Sequence, residues 1–195
     1  MRLCASRETR RSLRAYLDLL AAWNRKINLV APGTLPQAMR RHLKDSAQLL
    51  KFAPEGWKTW LDLGSGGGFP GLAISILCPD NAVSLVDSDA RKGEFLRQAS
   101  SAAGVSPSIH VKRVEQIGRV APDVLSARAL APLSRLLELA YPIVGDGTVC
   151  LFLKGAAWRA EVDAAARSWR FSLEAFPSRT DPEAAVLRIS HIAPA

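Results

Sequence analysis

The chain has 195 residues, of which 48% are hydrophobic, and a formal net charge of +8 at pH 7. This length allows one domain with a small extension and excludes two full domains. No apolar run approaches the ~20 residues that span a bilayer, and the basic start of the chain lacks the apolar centre of a signal peptide, so we expect a cytoplasmic protein.

The cysteines and histidines show no pattern of a disulfide framework or a metal site. The three cysteines, Cys4, Cys78 and Cys150, lie far apart and form no C-x-x-C pair. The three histidines share no metal-ligand spacing with them or with one another. We therefore expect reduced thiols and no bound metal, and the size is compatible with a monomer.

The positive charge is concentrated in the first quarter of the chain. Residues 1–51 contain 11 lysines and arginines against 3 acidic residues, whereas the remainder contains 15 of each kind. Such a distribution is expected when one region binds a polyanion and another performs chemistry. The alternative, a solvated helix surface without a ligand, stays open on charge alone.

Residues 1–53 are predicted to form a basic helical extension. Apolar residues from Leu13 to Leu20 recur at helical spacing, with arginines on the opposite face. A second helix is expected to begin near Thr34, whose side chain can cap its first turn. Between the helices, the stretch 23–30 mixes an aromatic residue with amides and cations, which predicts a surface loop or a frayed helix end.

From residue 57 onward the pattern changes to that of an α/β domain. Short apolar runs alternate with helical stretches, which is typical of βαβ units around a parallel sheet. Two final runs, 170–175 and 185–192, are too close for a helix between them and predict an antiparallel pair. The prediction is a Rossmann-like, seven-stranded, mostly parallel sheet over residues 57–195, with helices on both faces. The other predicted strands are 59–63, 82–87, 108–113, 123–127 and 147–153, and the predicted helices are 71–78, 90–103, 132–140 and 157–168.

A glycine-rich turn follows the first predicted strand. Residues 60–71 read WLDLGSGGGFPG and lead directly into a helix. Glycines such as Gly64, Gly66 and Gly68 allow a ligand to approach the backbone closely, so we expect a ligand against this turn. The spacing Gly66-x-Gly68-x-x-Gly71 also fits dinucleotide binding, and the motif alone leaves the cofactor open.

Three features bear on which cofactor binds there. Asp62 directly precedes the glycines, where an acid suits the positive amino-acid end of S-adenosylmethionine and repels a pyrophosphate. Asp87 ends the next strand, where a carboxylate can bind ribose hydroxyls of either cofactor. Val114 and Glu115 follow the third strand, where a backbone amide and an apolar side chain can hold adenine. Together these residues favour S-adenosylmethionine.

Two cations lie at the ends of later strands. Arg128 ends the fourth strand and Lys154 the fifth, and ligands of open α/β sheets bind at these carboxyl ends. Both side chains can therefore position an anionic or base-rich substrate. Pairing with acidic residues on neighbouring helices is the alternative for each.

Motifs for two common methylation chemistries are missing. The residues after the fourth strand are SARA rather than the N/D-P-P-Y/F turn of adenine amino methylation. Cys78 and Cys150 are poorly placed for the nucleophile of pyrimidine C5 methylation. A ring nitrogen with a free lone pair, such as guanine N7, needs only an in-line approach, so we expect no catalytic residue.

Six stretches in one order resemble the RsmG (GidB) family of bacterial 16S ribosomal RNA methyltransferases. They are 23–29 (WNRKINL), 41–46 (RHLKDS), 62–71 (DLGSGGGFPG), 86–88 (VDS), 126–129 (SARA) and 153–155 (LKG). The resemblance implies methylation of guanine N7, at position 527 of 16S RNA, with S-adenosyl-L-methionine as cofactor. The similarity fades beyond Trp158, and Val30-Ala31 and Lys44 depart from the family pattern.

The resemblance also implies site residues. It places Gly64, Phe69, the Val114–Glu115 pair and Arg128 at the cofactor, with Asp87 at its ribose. The expected partner is 16S ribosomal RNA or the small ribosomal subunit, and the expected substrate contacts are Arg10, Arg14, Arg40, Arg41, His42 and Lys154.

Two other functions remain open on the residues alone. An NAD-dependent oxidoreductase fits the glycine spacing, although the only acid/base candidate near its hydride site is Lys154. A non-catalytic RNA-binding assembly factor with a vestigial nucleotide pocket fits the charge distribution. The presence of both Asp62 and Asp87 argues against the assembly factor with a vestigial pocket.

Overall fold

The computed structural model describes residues 6–30 and 35–195 of the chain, with side chains from Arg41 onward in the second range. The helices are α1 (Arg7–Asn24), α2 (Leu35–Gln48), α3 (Gly71–Leu77), α4 (Ala90–Ala103), α5 (Leu133–Ala140) and α6 (Trp158–Ala165). The strands are β1 (Thr59–Leu63), β2 (Ala82–Asp87), β3 (Ser108–Val111), β4 (Val124–Arg128), β5 (Val149–Lys154), β6 (Trp169–Pro177) and β7 (Ala185–Pro194). None of the described helices is long and apolar enough to cross a membrane.

The seven strands form one sheet in the order β3-β2-β1-β4-β5-β7-β6. The first five strands pair in parallel. Strand β7 lies antiparallel to both β5 and β6. The predicted α/β fold with a terminal antiparallel pair is confirmed. Because β1 and β4 are adjacent while their connections leave in opposite directions, the carboxyl ends of these strands mark the point where such folds bind ligands.

Helices cover both faces of the sheet because successive strand residues point to opposite sides. Trp60 and Leu85 belong to a hydrophobic cluster with residues of α1, α3 and α4. Leu61 and Phe152 belong to a second cluster with residues of α5 and α6. The central strands β1, β4 and β5 are buried on both faces, which explains their nearly continuous apolar runs in the sequence.

The first helix packs directly on the sheet domain. The side chains of Tyr16 and Leu20 are fully buried in the same cluster as Trp60. At the end of the helix, the Trp23 ring lies 5.8 Å from that of Phe95 on α4. Helix α1 therefore shares its apolar stripe with the core, and its arginines face outward as the periodicity predicts.

The stretch 23–30 leaves the helix after Asn24 and is exposed at Arg25, Lys26 and Asn28, in agreement with the predicted surface loop. Asn24 itself is buried, and its Oδ1 accepts hydrogen bonds from the backbone N–H of Leu29 and Val30 at 2.8 and 2.9 Å. Its Nδ2 donates to the carbonyl of Val30, which is also buried. The prediction failed for Asn24 because its one amide satisfies three backbone groups. The predicted cap at Thr34 lies outside the described residues.

Candidate functional site

The glycine loop, residues 64–71, lies between the carboxyl end of β1 and the start of α3. Gly64, Gly66 and Gly68 have φ angles of +67°, +51° and +89°, which side-chain-bearing residues rarely adopt. The backbone N–H of Ser65 donates to the carbonyl of Val86 at 2.9 Å. The loop is thus fixed against the end of the neighbouring strand β2.

Protein atoms lie close beside four of the loop glycines, Gly64, Gly67, Gly68 and Gly71. A Cβ on Gly67 would lie 3.1 Å from the Leu29 carbonyl, and one on Gly68 would lie 2.8 Å from the Tyr16 hydroxyl. A Cβ on Gly71 would lie 2.6 Å from Cβ of Asp62. The absence of a side chain at Gly68 leaves room for the Tyr16 hydroxyl of α1, and its predicted contact with a cofactor stays a prediction.

Asp62 lies beneath the loop and holds it in place. Its side chain is fully buried, Oδ2 accepts the N–H of Gly71 at 3.1 Å, and Oδ1 accepts the Ser126 hydroxyl at 2.6 Å. Ser126 in turn accepts the indole N–H of Trp60 at 2.8 Å. Burial raises the pKa of Asp62 to about 6, although the hydrogen bonds from Ser126, Ser65 and Gly71 act in the opposite direction. Its predicted contact with a cofactor stays a prediction.

Asp87 anchors the other side of the loop. Its side chain is 9% exposed, Oδ2 accepts the N–H of Gly66 at 2.9 Å, and Oδ1 accepts the N–H of Asp89 at 2.9 Å. Asp89 is the residue that caps α4, through a bond from the N–H of Arg91. Each Asp87 oxygen retains a lone pair for a ligand hydroxyl.

A cavity of about 340 Å³ opens beside Asp87 and is called the glycine-loop cavity below. Gly64, Val114 and Glu115 line it, as predicted for the cofactor site. Glu115 is exposed and pairs with Arg135 at 2.5 Å. The wall opposite Gly64 comes from residues 129–131, which follow β4. The structure therefore brings Gly64, Asp87, Val114 and Glu115 together.

A second cavity of about 430 Å³ lies on the other side of residues 129–131 and is called the α2 cavity below. Arg41 and Asp45 of α2 line it, together with Arg128, Lys154 and residues of the β6–β7 loop. The segment 129–131 contributes to both cavities. The two cavities therefore adjoin at this segment.

Arg128 lines the α2 cavity and also contacts Phe69 of the glycine loop. Its Nη1 donates to Nδ1 of His42 at 2.7 Å, so the imidazole carries its proton on Nε2. The guanidinium lies 5.3 Å from the Phe69 ring centre, and the His42 ring packs 5.2 Å from the same ring. Burial, followed by the charges of Arg128 and Arg41, lowers the pKa of His42 to about 4. A neutral imidazole offers no charge to a phosphate.

Phe69 and Arg128, predicted at the cofactor, lie away from the glycine-loop cavity. Phe69 is buried, and its ring packs 5.3 Å from that of Tyr16. Arg128 lines the α2 cavity. The geometry matches the residue-based interpretation, in which Arg128 faces the substrate, better than the placement implied by the resemblance.

Lys154, predicted to contact substrate, is held by protein groups. Its side chain is 9% exposed, and Nζ lies 2.5 Å from Glu161 Oε2 and donates to the carbonyl of Ala131 at 2.7 Å. Glu161 Oε2 also accepts the N–H of Leu133 at 2.8 Å. The alternative stated for Lys154, pairing with a helix acid, is the arrangement observed, and it fixes the segment between the two cavities.

The loop between β6 and β7 closes the α2 cavity, which the sequence did not indicate. Arg41 pairs with Asp181 at 2.5 Å, and Asp45 accepts the hydroxyl of Thr180. Gln48 accepts the N–H of Arg179 at 3.0 Å. The two partners of each contact are more than 130 positions apart in the chain. The sequence offered one signal for these contacts, the polar side chains at positions 41, 45 and 48 on one face of a predicted helix.

The remaining predicted substrate residues lie at the surface of the N-terminal helices. Arg10 and Arg14 are exposed on α1, and Arg14 forms an i,i+4 pair with Asp18 at 3.1 Å. Exposed pairs of this kind contribute only about 0.3–0.5 kcal/mol, so Arg14 can leave its partner readily. Arg40 lies outside the residues whose side chains are described. Within the described ranges, no three metal-binding side chains cluster to form a metal site.

The family model for GidB, described as rRNA small subunit methyltransferase G, matches residues 9–183. The chain belongs to the GidB family. Relatives named ribosomal RNA small subunit methyltransferase G include one from Rhodospirillum centenum, 49% identical over 97% of this chain and 87% of the relative. A second, from Gluconobacter oxydans, is 46% identical over 95% of both chains. The resemblance stated from six stretches is confirmed.

Solved structures related to this GidB chain share its fold at low sequence identity. The ribosomal protein L11 methylase from Lactobacillus delbrueckii subsp. bulgaricus superposes with a TM-score of 0.61 at 15% identity, over 77% of this chain and 78% of that chain. An MtNAS mutant in complex with S-adenosylmethionine gives 0.63 at 16% identity, over 93% and 72% of the two chains. Their likeness supports the class I methyltransferase fold.

Proposed function

We propose that this chain transfers a methyl group from S-adenosyl-L-methionine to N7 of a guanine in the 16S RNA of the bacterial small ribosomal subunit. Membership of the GidB family supports rRNA methylation. The observation that carries the proposal is the pair of cavities that share residues 129–131 as a common wall. A transferase needs such an arrangement because the donor and the acceptor must meet across a short gap.

The glycine-loop cavity has the groups that a nucleoside cofactor requires. Asp87 offers carboxylate lone pairs for ribose hydroxyls, and Val114 offers an apolar contact for adenine. Gly64 has a positive φ, and the Leu130 side chain packs directly against it, since a Cβ there would lie 2.7 Å from Leu130. Bound S-adenosyl-L-methionine would supply an activated methyl group, whose transfer leaves the acceptor with one additional positive charge.

The α2 cavity suits a neutral acceptor that needs no deprotonation. Guanine N7 carries a lone pair and no proton, so the residues around it need only hold the base in line and stabilise the positive charge that develops. The carboxylates of Asp45 and Asp181 line this cavity. The side chains there therefore act by positioning and electrostatics, and no general base is proposed.

The basic face of α1 is proposed to bind RNA phosphates beside this site. Arg10 and Arg14 lie on the exposed face of the helix whose buried face, through Tyr16, contacts the glycine loop. Phosphate contacts fix the register of a nucleic acid without reading its sequence. The helix thus offers a route to place RNA close to the two cavities.

The test is transfer of radiolabelled methyl from S-adenosyl-L-methionine to purified small subunits that lack the modification, followed by nucleoside analysis. Label in 7-methylguanosine is the expected result. Label in another nucleoside would retain the methyltransferase and overturn the N7 assignment. Absence of label, with RNA binding intact, would favour the assembly-factor alternative.

The oxidoreductase alternative is tested by calorimetry with two ligands. We expect saturable binding of S-adenosyl-L-methionine and none of NAD, because the buried carboxylate of Asp62 and that of Asp87 flank the loop where a pyrophosphate would lie. Binding of NAD alone would reverse the assignment.

A further inference from the structure

We infer that Asp45 reads the Watson–Crick edge of the target guanine through its free carboxylate oxygen, Oδ2. The inference rests on the proposed function and identifies the residue that selects guanine in the α2 cavity. It follows from the hydrogen-bond and ion-pair partners of the three carboxylates that line this cavity, those of Asp45, Glu161 and Asp181.

Two of the three carboxylates are already committed to protein groups. Asp181 uses both oxygens: Oδ2 pairs with Arg41 at 2.5 Å, and Oδ1 accepts the N–H of Glu183 at 3.1 Å. Glu161 pairs with Lys154 at 2.5 Å and accepts a backbone N–H through the same oxygen. Their charges are therefore balanced within the protein.

Asp45 differs from both because it forms no ion pair with a described side chain. Its hydrogen bonds, from the Thr180 hydroxyl and from Gln48 Nε2 at 3.3 Å, are all accepted by Oδ1. Oδ2 thus keeps its lone pairs, while the bonds to Oδ1 fix the orientation of the carboxylate.

The pKa of the Asp45 carboxyl is raised, chiefly by burial and also by the charge of Asp181. The Thr180 hydrogen bond and the charges of Arg128 and Arg41 limit that rise. A half-buried carboxylate with a free oxygen in a base-sized cavity calls for hydrogen-bond donors from a ligand.

Guanine supplies two such donors side by side, whereas adenine supplies one, its C6 amino group. The N1–H of guanine and the amino group at C2 lie on one edge, opposite N7, whereas adenine presents an acceptor at N1 that a carboxylate repels. As positive charge develops on the purine during methylation, N1–H becomes a stronger donor, so the contact to Asp45 strengthens in the transition state. Guanine can thus turn N7 toward residues 129–131 while its other edge contacts α2.

The experiment compares guanosine with inosine, which lacks the C2 amino group, at the target position. Small subunits are reconstituted with 16S RNA that carries either nucleoside, and single-turnover methylation rates are measured. For the unaltered enzyme we expect the inosine rate to be about tenfold or more lower, since a hydrogen bond to a charged group is lost. Equal rates would overturn the inference without any variant having to fold.

The variant Asp45→Asn separates recognition from structure. We expect its guanosine rate to fall about tenfold or more and its guanosine-to-inosine ratio to approach one, with affinity for S-adenosyl-L-methionine unchanged. The matched control is Asp181→Asn, which alters the other aspartate of the cavity and should keep the full ratio. A purely structural role of Asp45 would lower both rates equally, which would refute the assignment. If the unaltered enzyme labels no guanine N7 at all, the proposed function fails first, and this inference with it.

Discussion

The single hydroxyl of Tyr16 is expected to stabilise the glycine loop. It donates to the carbonyl of Gly67 at 2.5 Å in a fully buried setting and ties α1 to the loop. The variant Tyr16→Phe keeps the ring and leaves the carbonyl without this partner. Losing one buried hydrogen bond costs about 1–3 kcal/mol. For a chain of this size, each kcal/mol lowers Tm by about 2–4 °C, so a decrease of roughly 2–12 °C is expected.

The loop should also bind its ligand less well. Because the carbonyl of Gly67 would no longer be fixed, part of the binding free energy would be used to order the loop, and the Kd for S-adenosyl-L-methionine should rise about threefold or more. Tyr141→Phe is the matched control, since Tyr141 is 45% exposed and packs only its ring against Trp169. Denaturant unfolding and calorimetry measure both effects. Equal stability of the two variants would refute the role of the hydroxyl.

Three further changes are expected to have defined outcomes. Ser126→Ala leaves two buried partners unpaired and should lower the free energy of unfolding by about 2–4 kcal/mol, against less than about 1 kcal/mol for Ser100→Ala, whose bond lies within one helix. Because the folded-state pKa of His42 is lowered from 6.5 to about 4, the unfolded chain binds more protons between these values, so stability should fall as pH decreases from 6.5 to 4, and less so in His42→Gln. Urea unfolding at several pH values tests this, and an unchanged slope in the variant would contradict it. Replacing Arg10 and Arg14 together by alanine should weaken RNA binding and reduce its salt slope by about one to two, with cofactor affinity retained; an unchanged slope would exclude phosphate contacts.

Much of the fold was predictable because its signals are local. The central strands β1, β4 and β5 are buried on both faces and so appear as apolar runs. The predicted bounds of β1, β2 and α4 agree with those observed. The glycine loop was also found correctly, since positive φ angles at Gly64 and Gly66 require this residue type. Boundaries shifted by a few residues where a strand runs into a turn, as after β3.

The errors came from treating polarity as exposure. The stretch 23–30 was assigned to the surface, yet Asn24 is buried because its amide satisfies three backbone groups. Lys154 pairs with Glu161 and donates to the Ala131 carbonyl, the alternative stated for it, and its predicted substrate contact stays a prediction. In both cases the composition of the stretch did not indicate which protein groups would pair with the polar side chain.

The sequence by itself determined the order of the elements, the place of the ligand-binding turn and the family, because periodicity, glycine conformation and motif order are properties of neighbouring residues. Only the tertiary structure decided that Gly68 accommodates the hydroxyl of Tyr16 and that the β6–β7 loop closes the α2 cavity over Asp45. These contacts join residues that are 52 and 135 positions apart. Packing of the helices against the sheet sets such distances, and no local pattern encodes them.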